Sequence, residues 1–472
     1  MNNTAAYLQF FSVTQEMLHS LMAGALSRGG DYADIFFEYS TLDEMTMQDH
    51  KVTSAGSHVD YGAGVRVIKD GHTGYAFCET TEMPSMMRAA RSAAAIADGM
   101  PSPVKCLDVT EIKGGCWYPS EYDWNDISCD VKKEFLLALD RKCYEADSRI
   151  VSVIARVSHS YDKSLFFNSL GELAADSGPL ASVAVSVVMQ EGGTVENSTA
   201  TRSFRMGAEM LSDSLADELV KEAVDQCARM FEAKKVKGGE MPVVMACGGS
   251  GILLHEAIGH AFEADFNMKN TSIFSDKLGK KVCDSSINVV DDGTVMYNRG
   301  SINVDDEGVP GQKTYIVKDG VLNSYLHDRI TAAHYGVAPT GNGRRESFRN
   351  YPIPRMRVTY MENGSCTAGS IIADVKRGIY VDSFLNGQVQ IGAGDFTFYV
   401  KTGYLIENGR LTAPIKDVNV IGNGPQALAD IVAVADDCLI DNGTWTCGKG
   451  QNCAVSCGMP TALVSRLTVG GL

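Results

Sequence analysis

Hydrophobic positions along the chain recur at helical spacing in some stretches and alternate at strand spacing in others. Thr14 to Arg28 reads as an amphipathic helix that stops at Gly29-Gly30, residues able to take a left-handed cap. A strand is expected over Ala33 to Tyr39. Val65 to Ile68 and Thr73 to Phe77 flank Asp70-Gly71 as the arms of a hairpin. Pro84 stands where a helix favours its first residue, and Met86 to Asp98 continues as a helical run closed by Gly99. Pro101 to Ile127 has no sustained period and reads as a long, partly packed connection.

A further helix is expected from Val131 to Ala146, then strands at Ile150 to Val157, Ser164 to Asn168 and Ala181 to Gln190. Leu215, Leu219, Ala223, Val224 and Cys227 return at helical spacing after an expected cap at Ser214. The polar stretch Lys234 to Glu240, with Gly238-Gly239, marks a boundary, and the sequence beyond it is mostly strands and turns. The fold class is therefore α+β, divided into 1–237, a mixed helix-and-strand part, and 238–472, a β-rich part. Tyr315 to Leu322 resembles Tyr404 to Leu411. Two ordinary hairpins with Asp-Gly and Asn-Gly turns account for the likeness, with a distant duplication as the alternative.

Composition narrows the function. With 44% hydrophobic and 21% charged residues, a disordered or fibrous chain is excluded. The net charge of −16 argues against nucleic acid and anionic membrane surfaces as partners. The apolar runs Leu180 to Met189 and Met241 to Leu254 are shorter than the roughly 18 to 20 residues of a membrane span. No Lys or Arg precedes the apolar residues of the first segment, so no secretory signal is expected there and the cytoplasm is the expected location. Thirteen scattered cysteines then favour reduced thiols or metal ligands over a disulfide framework.

The most informative segment runs from Met241 to Phe266: a buried strand, a glycine turn, then a helix beginning near Gly251 that carries His255, Glu256 and His260. The pattern is H-E-x-x-x-H. Residues five apart lie about 140° apart around a regular α-helix, so such a helix could not aim both imidazoles at one ion. A single π-turn would return them to one face, and Gly259 gives the backbone room for it. The alternative is that either histidine is a hydrogen-bonded core or surface residue.

A catalytic zinc site takes three protein ligands and an open position. Glu263 and Asp265 are local candidates for the third, although Glu263 could instead orient a ligand by hydrogen bonding. Cys447, Cys453 and Cys457 offer thiolates, without metal-ligand spacing of their own. Arg344, Arg345, Arg349, Arg355 and Arg357 crowd together in an acidic chain; they could hold a carboxylate, bridge to another subunit, or form a structural network. The turn Gly248-Gly249-Ser250-Gly251 lacks the spacing and the lysine of a nucleotide site.

Several separated blocks, in order, resemble the TldD/PmbA metallopeptidases: MPVV, LLHEAIGHAFEADFN, TSIFSDKLG with VVDDGT, PTGNGRRES with PIPRM, GQVQI, YLIENGRLTAPIKD, CGKGQ and a terminal LTVGG. The chain is similar to the TldD type, which carries H-E-x-x-x-H, rather than to the PmbA type (TldE), which lacks it. The resemblance implies one zinc ion held by His255, His260 and Cys447, with Glu256 as catalytic carboxylate. It also implies an α+β N-terminal domain before a β-rich domain bearing the metal helix. A homodimer, or a heterodimer with a PmbA-type subunit, would act on unfolded or leader-bearing peptides in the cytoplasm. Ala261 and Ala264 stand where the family has glycines, and Arg357-Val358 follows PRM.

In that chemistry Glu256 moves the water proton to the leaving amine. Tyr325, His327, Arg344 and Tyr351 are side chains able to donate to the developing oxyanion, and the sequence does not choose among them. The competing reading is a non-catalytic peptide-binding or scaffold subunit, which would keep the fold and lose the metal set.

Overall fold

The computed structural model describes residues 4–102 and 108–471, so part of the expected 101–127 connection lies outside the described residues. The chain builds one large sheet first, antiparallel except where β4 joins β6 in parallel. Strands β1 (Tyr32–Gln48), β2 (Lys51–Lys69), β3 (His72–Cys78), β4 (Thr110–Ile112), β5 (Ile150–Asn168), β6 (Glu172–Glu191) and β7 (Thr194–Phe204) pair in the order β3-β2-β1-β5-β6-β4, with β7 also on β6. The expected strand at 33–39 is the start of a much longer one. Those at 150–157 and 164–168 are a single strand: the polar run between them is held by β1 on one side and β6 on the other.

Side chains alternate between the two faces of a strand, and one parity faces the helices. Ala33, Ile35, Phe37, Met45 and Met47 of β1, with Val153, Val157, Leu165 and Phe167 of β5, are buried under the helices Gln15–Ala25, Met83–Ala93, Cys129–Ala146 and Asp213–Met230. Phe36 and Phe166 point the other way and meet Val304 and Phe348. Around these residues the sheet is covered on both sides, by helices on one and by loops of the later chain on the other, whereas the start of β2 is exposed. Thr14 caps the first of these helices, with its side chain accepting from Met17 N. The cap expected at Ser214 is instead Ser212, whose side chain accepts from Leu215 N, so the helix starts at Asp213. Asp70 and Gly71 both have positive φ, at 50° and 76°, which closes the β2–β3 hairpin as the sequence predicts.

The later half contains a sheet whose pairing returns on itself. Gly239–Met245 lies between Arg377–Val389 and Ala462–Gly471. The order then continues through Val418–Asn423 and Asp395–Glu407 back to Arg377–Val389. Val243, Met245, Ile379, Val381, Phe398, Val420, Val464 and Val469 fill its interior and continue into Leu253, Leu254, Ala257 and Ile258. A second sheet includes Val289–Asp292, Lys313–Lys318, Val358–Met361 and Ser456–Met459. The two similar segments form separate hairpins in different sheets, with Asp319-Gly320 and Asn408-Gly409 in positive-φ turns.

Candidate metal centre

The strand Gly239–Met245 delivers the chain to the turn Gly248-Gly249-Ser250-Gly251, where Gly248 has φ +83°. A Cβ on Gly251 would lie 2.6 Å from the backbone of Gly458, so only glycine lets this turn approach the strand Ser456–Met459. The helix expected from near Gly251 carries the π-turn that the histidine spacing calls for. Leu254–Gly259 is a π-helix, followed by a short 3-10 turn at His260–Phe262. The wider turn brings residues five apart onto one side, and the rings of His255 and His260 sit 5.1 Å apart at 81°. Both are buried.

The third donor comes from the hairpin Thr446–Gly448 with Asn452–Ala454, which leads into the strand Ser456–Met459. Cys447 Sγ lies 3.1 Å from His260 Nε2. One donor atom each from His255, His260 and Cys447 falls within 4.8 Å of the others. His255 is buried, yet neither ring nitrogen has a hydrogen-bond partner of good geometry. Such an orphan is costly unless something else satisfies it, and two imidazoles with a thiolate suit a borderline-soft cation better than a hard one. The residues fit a zinc ion.

A ring of charge surrounds the donors. Glu263 is fully buried, and its Oε2 is 2.9 Å from His260 Nδ1. Lys449 Nζ approaches the same carboxylate at 3.1 Å, and Arg355 Nε lies 3.8 Å from Oε1. Burial alone would raise the Glu263 carboxyl, but Lys449, His260 and Arg355 together pull it down to about 2. Burial works the same way on the Cys447 thiol, and the imidazoles of His255 and His260 reverse it, to about 4. A metal-ready thiolate is thus stabilised by the residues that would share the ion.

Glu263 therefore stands as an orienting partner of His260, and Asp265 pairs with Lys449 Nζ at 2.7 Å. Glu256 is half-buried between buried neighbours. The oxyanion candidates are dispersed. Tyr325 donates its hydroxyl to Phe274 O at 2.7 Å, and Arg344 donates to Met356 O and Ala454 O, so both are committed to structure. His327 is buried with Nδ1 3.3 Å from Thr331 Oγ1, and Tyr351 is exposed with its ring against Tyr75. The arginine group is a structural network. Arg349 pairs with Asp60 and Glu79, Arg345 donates to Asp306 O, and Arg357 donates to Gly341 O. Arg355 holds the Cys447 hairpin by donating to Cys447 O at 2.6 Å and Gln451 O at 2.7 Å. Nothing local in the sequence marks Lys449 or Arg355 for this role.

Family models described as PmbA/TldA metallopeptidase match in three pieces: domain 1 over 33–97, the central domain over 122–231 and the C-terminal domain over 238–471. The chain is 37% identical to a protein named metalloprotease TldD homolog from Haemophilus influenzae, over 94% of each chain. The chain belongs to the PmbA/TldD metallopeptidase family. It is also 30% identical to a protein of Saccharolobus solfataricus named zinc metalloprotease TldD homolog, covering 94% of this chain and 97% of the relative. The fold is shared with TldE from Thermococcus kodakarensis (TM-score 0.77, 20% identity, 96% of this chain and all of the other). A Thermotoga maritima structure is similar in the same way (TM-score 0.78, 20% identity, 97% and 100%). Among the described residues of this metallopeptidase no helix is long and apolar enough to cross a membrane.

Proposed function

We propose that this metallopeptidase cleaves unfolded or leader-bearing peptides in the cytoplasm, with zinc held by His255, His260 and Cys447 and with Glu256 transferring the proton. The convergence of three donor atoms from segments 187 residues apart onto a buried spot with an unsatisfied imidazole carries this reading. When bound, zinc supplies Lewis acidity toward water and the scissile carbonyl. The Glu256 carboxylate, beside His255 and less buried than its neighbours, takes a proton from the attacking water and passes it to the leaving amine. Glu263 keeps His260 Nδ1 engaged, so Nε2 is the nitrogen left for the ion. An extended peptide is held by backbone pairing at a sheet edge, which suits substrates without fixed sequence.

The active assembly in this reading is a dimer, with a second copy or with a TldE-type subunit. The chain divides into 1–237 and 238–472, a division supported by family-model matches that end at 231 and resume at 238. The test is elemental analysis of protein purified without a metal-affinity step, followed by cleavage of an unstructured peptide by wild type and Glu256→Gln. We expect near-stoichiometric zinc in both and a rate loss of about 10²–10⁴-fold in the variant. A zinc-loaded variant that cleaves at the wild-type rate would overturn the mechanism. Protein that neither contains zinc nor recovers with it would favour the scaffold reading.

A further inference from the structure

Cys453 stands directly opposite Cys447 in the antiparallel hairpin, in the register Thr446↔Ala454, Cys447↔Cys453, Gly448↔Asn452. Residues opposite each other on antiparallel strands point to the same face, with Cβ atoms about 4.5–5.5 Å apart. Val455 N donates to Trp445 O at 3.2 Å, which continues the ladder and makes Cys447 and Cys453 a hydrogen-bonded pair by alternation. Such a pair has its Cα atoms about 5.5 Å apart, inside the range a disulfide spans. Both thiols are free and buried. Arg355 touches both residues, with Nη1 3.5 Å from Cys453 Sγ and Nη2 2.6 Å from Cys447 O. Among the described residues this is the only place where strand register sets two cysteines opposite one another.

We propose that Cys447 and Cys453 form an oxidation site, in which a peroxide converts the metal-binding thiolate and its cross-strand neighbour into a disulfide and removes Cys447 from the donor set. The inference rests on the reading of Cys447 as a metal ligand. The Cys447 sulfur attacks one peroxide oxygen, the O–O bond breaks, and the leaving hydroxide takes up a proton to become water. The Cys453 sulfur then attacks the resulting sulfenic acid. The S–S bond forms, the S–O bond breaks, and the departing hydroxyl leaves as water with the Cys453 proton. Two sulfurs together lose two electrons, and the peroxide is reduced to two waters. Closing the bridge draws the Cβ atoms together by about 1 Å from their paired spacing. A disulfide strained in this way is readily reduced, so the change is reversible by a dithiol.

The experiment treats zinc-loaded protein, with its metal content measured beforehand, with hydrogen peroxide. Released zinc is followed with a chromophoric chelator, and peptides are mapped without reduction. Lys449 lies between the two cysteines, so trypsin separates them unless they are bridged. We expect a Cys447–Cys453 link that appears in step with zinc release, one per ion, and that dithiothreitol reverses. Cys453→Ala should bind zinc as the wild type does, form no link, and lose zinc several-fold more slowly and irreversibly under peroxide. Cys457→Ala should behave as the wild type. Unlinked Cys447 sulfinic acid in the wild type, a link to Cys457, or reversible release at the wild-type rate in Cys453→Ala would each overturn the proposal. Absence of zinc before oxidation would count against the proposed function alone, because the peptide map still reports on the thiol pair.

Discussion

Glu263 Oε2 lies 2.9 Å from His260 Nδ1, and that contact leaves Nε2 of the same ring facing Cys447 Sγ at 3.1 Å. The carboxylate fixes both the tautomer and the rotation of the imidazole while it balances Lys449 and Arg355. Glu263→Gln keeps the shape and loses the charge. Zinc affinity, measured by competition with a chelator, should fall about 10- to 100-fold. Glu263→Ala takes the carboxylate from buried Arg355, while Lys449 keeps Asp265, and should cost roughly 3–5 kcal/mol in chemical denaturation. Unchanged zinc affinity in Glu263→Gln would show that His260 is oriented by something else.

The π-turn depends on the absence of a side chain at Gly259. A Cβ there would sit 2.3 Å from Met356 Sδ and 3.1 Å from Leu254 O, and Met356 is fully buried. Gly259→Ala should therefore cost about 1–3 kcal/mol by overpacking and weaken zinc binding with it. Met356→Ala alone opens a cavity and costs roughly 2–5 kcal/mol. Because the two changes compensate in space, the double variant should be more stable than the sum of the single losses by about 1 kcal/mol or more. Strict additivity in a double-mutant cycle would mean that Met356 does not press on the turn.

The five-residue spacing of His255 and His260 is visible in the sequence as a geometric problem with one inexpensive solution, and the chain adopts it. Glycine positions carry similar information: Gly29 and the Asp70-Gly71 turn have the positive φ expected of them. Other features are set by distant contacts. Ser212 and Ser214 are chemically alike as caps, so residue type alone does not single out Ser212, whose side chain accepts from Leu215 N. The polar stretch inside β5 reads as a gap because its partners on β1 and β6 are not local. Cys447 has no spacing signal, since its place beside His260 follows from a parallel pairing of Val358–Met361 with Ser456–Met459 and from the closed sheet next to it.

A second buried ion cluster ties the first sheet to the later loops. Arg66 Nε donates to Asp34 Oδ2 at 2.8 Å and its Nη1 is 2.6 Å from Glu307 Oε1, with all three side chains fully buried. Arg66→Met would remove the cation that contacts both carboxylates, leaving Asp34 only the more distant Arg345 at 4.0 Å, and should lower stability by roughly 3–5 kcal/mol. Lys221 and Asp225 provide the contrast, an exposed pair one helical turn apart at 2.7 Å. Lys221→Ala should shift the denaturation midpoint by the equivalent of about 0.5 kcal/mol at most. Similar losses in the two variants would refute the idea that burial, not charge pairing as such, makes the Arg66 cluster sensitive.

Acid sensitivity should have an identifiable source in His159. The ring is stacked on Trp124 at 4.4 Å, and its Nε2 is 3.0 Å from Lys132 Nζ, so the neutral form accepts from the lysine. Burial lowers its pKa from 6.5 to about 4, and Lys132 adds to the effect while Asp43 and Asp123 oppose it. The unfolded chain binds a proton between these values and the folded chain does not. Stability from this residue is therefore complete above about pH 6.5 and is lost as pH falls toward 4, by roughly 3 kcal/mol in all. Buried carboxylates such as Asp305 and Asp328, pushed up to about 7 by burial and by the Glu307 charge, act with the opposite sign, so the total profile mixes the two. The difference between wild type and His159→Gln separates them, because the amide still accepts from Lys132 and does not titrate. Their stabilities should diverge with pH between 4 and 6.5, the wild type losing ground as the solution is acidified, and run parallel above pH 7. Parallel curves throughout would mean that His159 takes up its proton without unfolding anything.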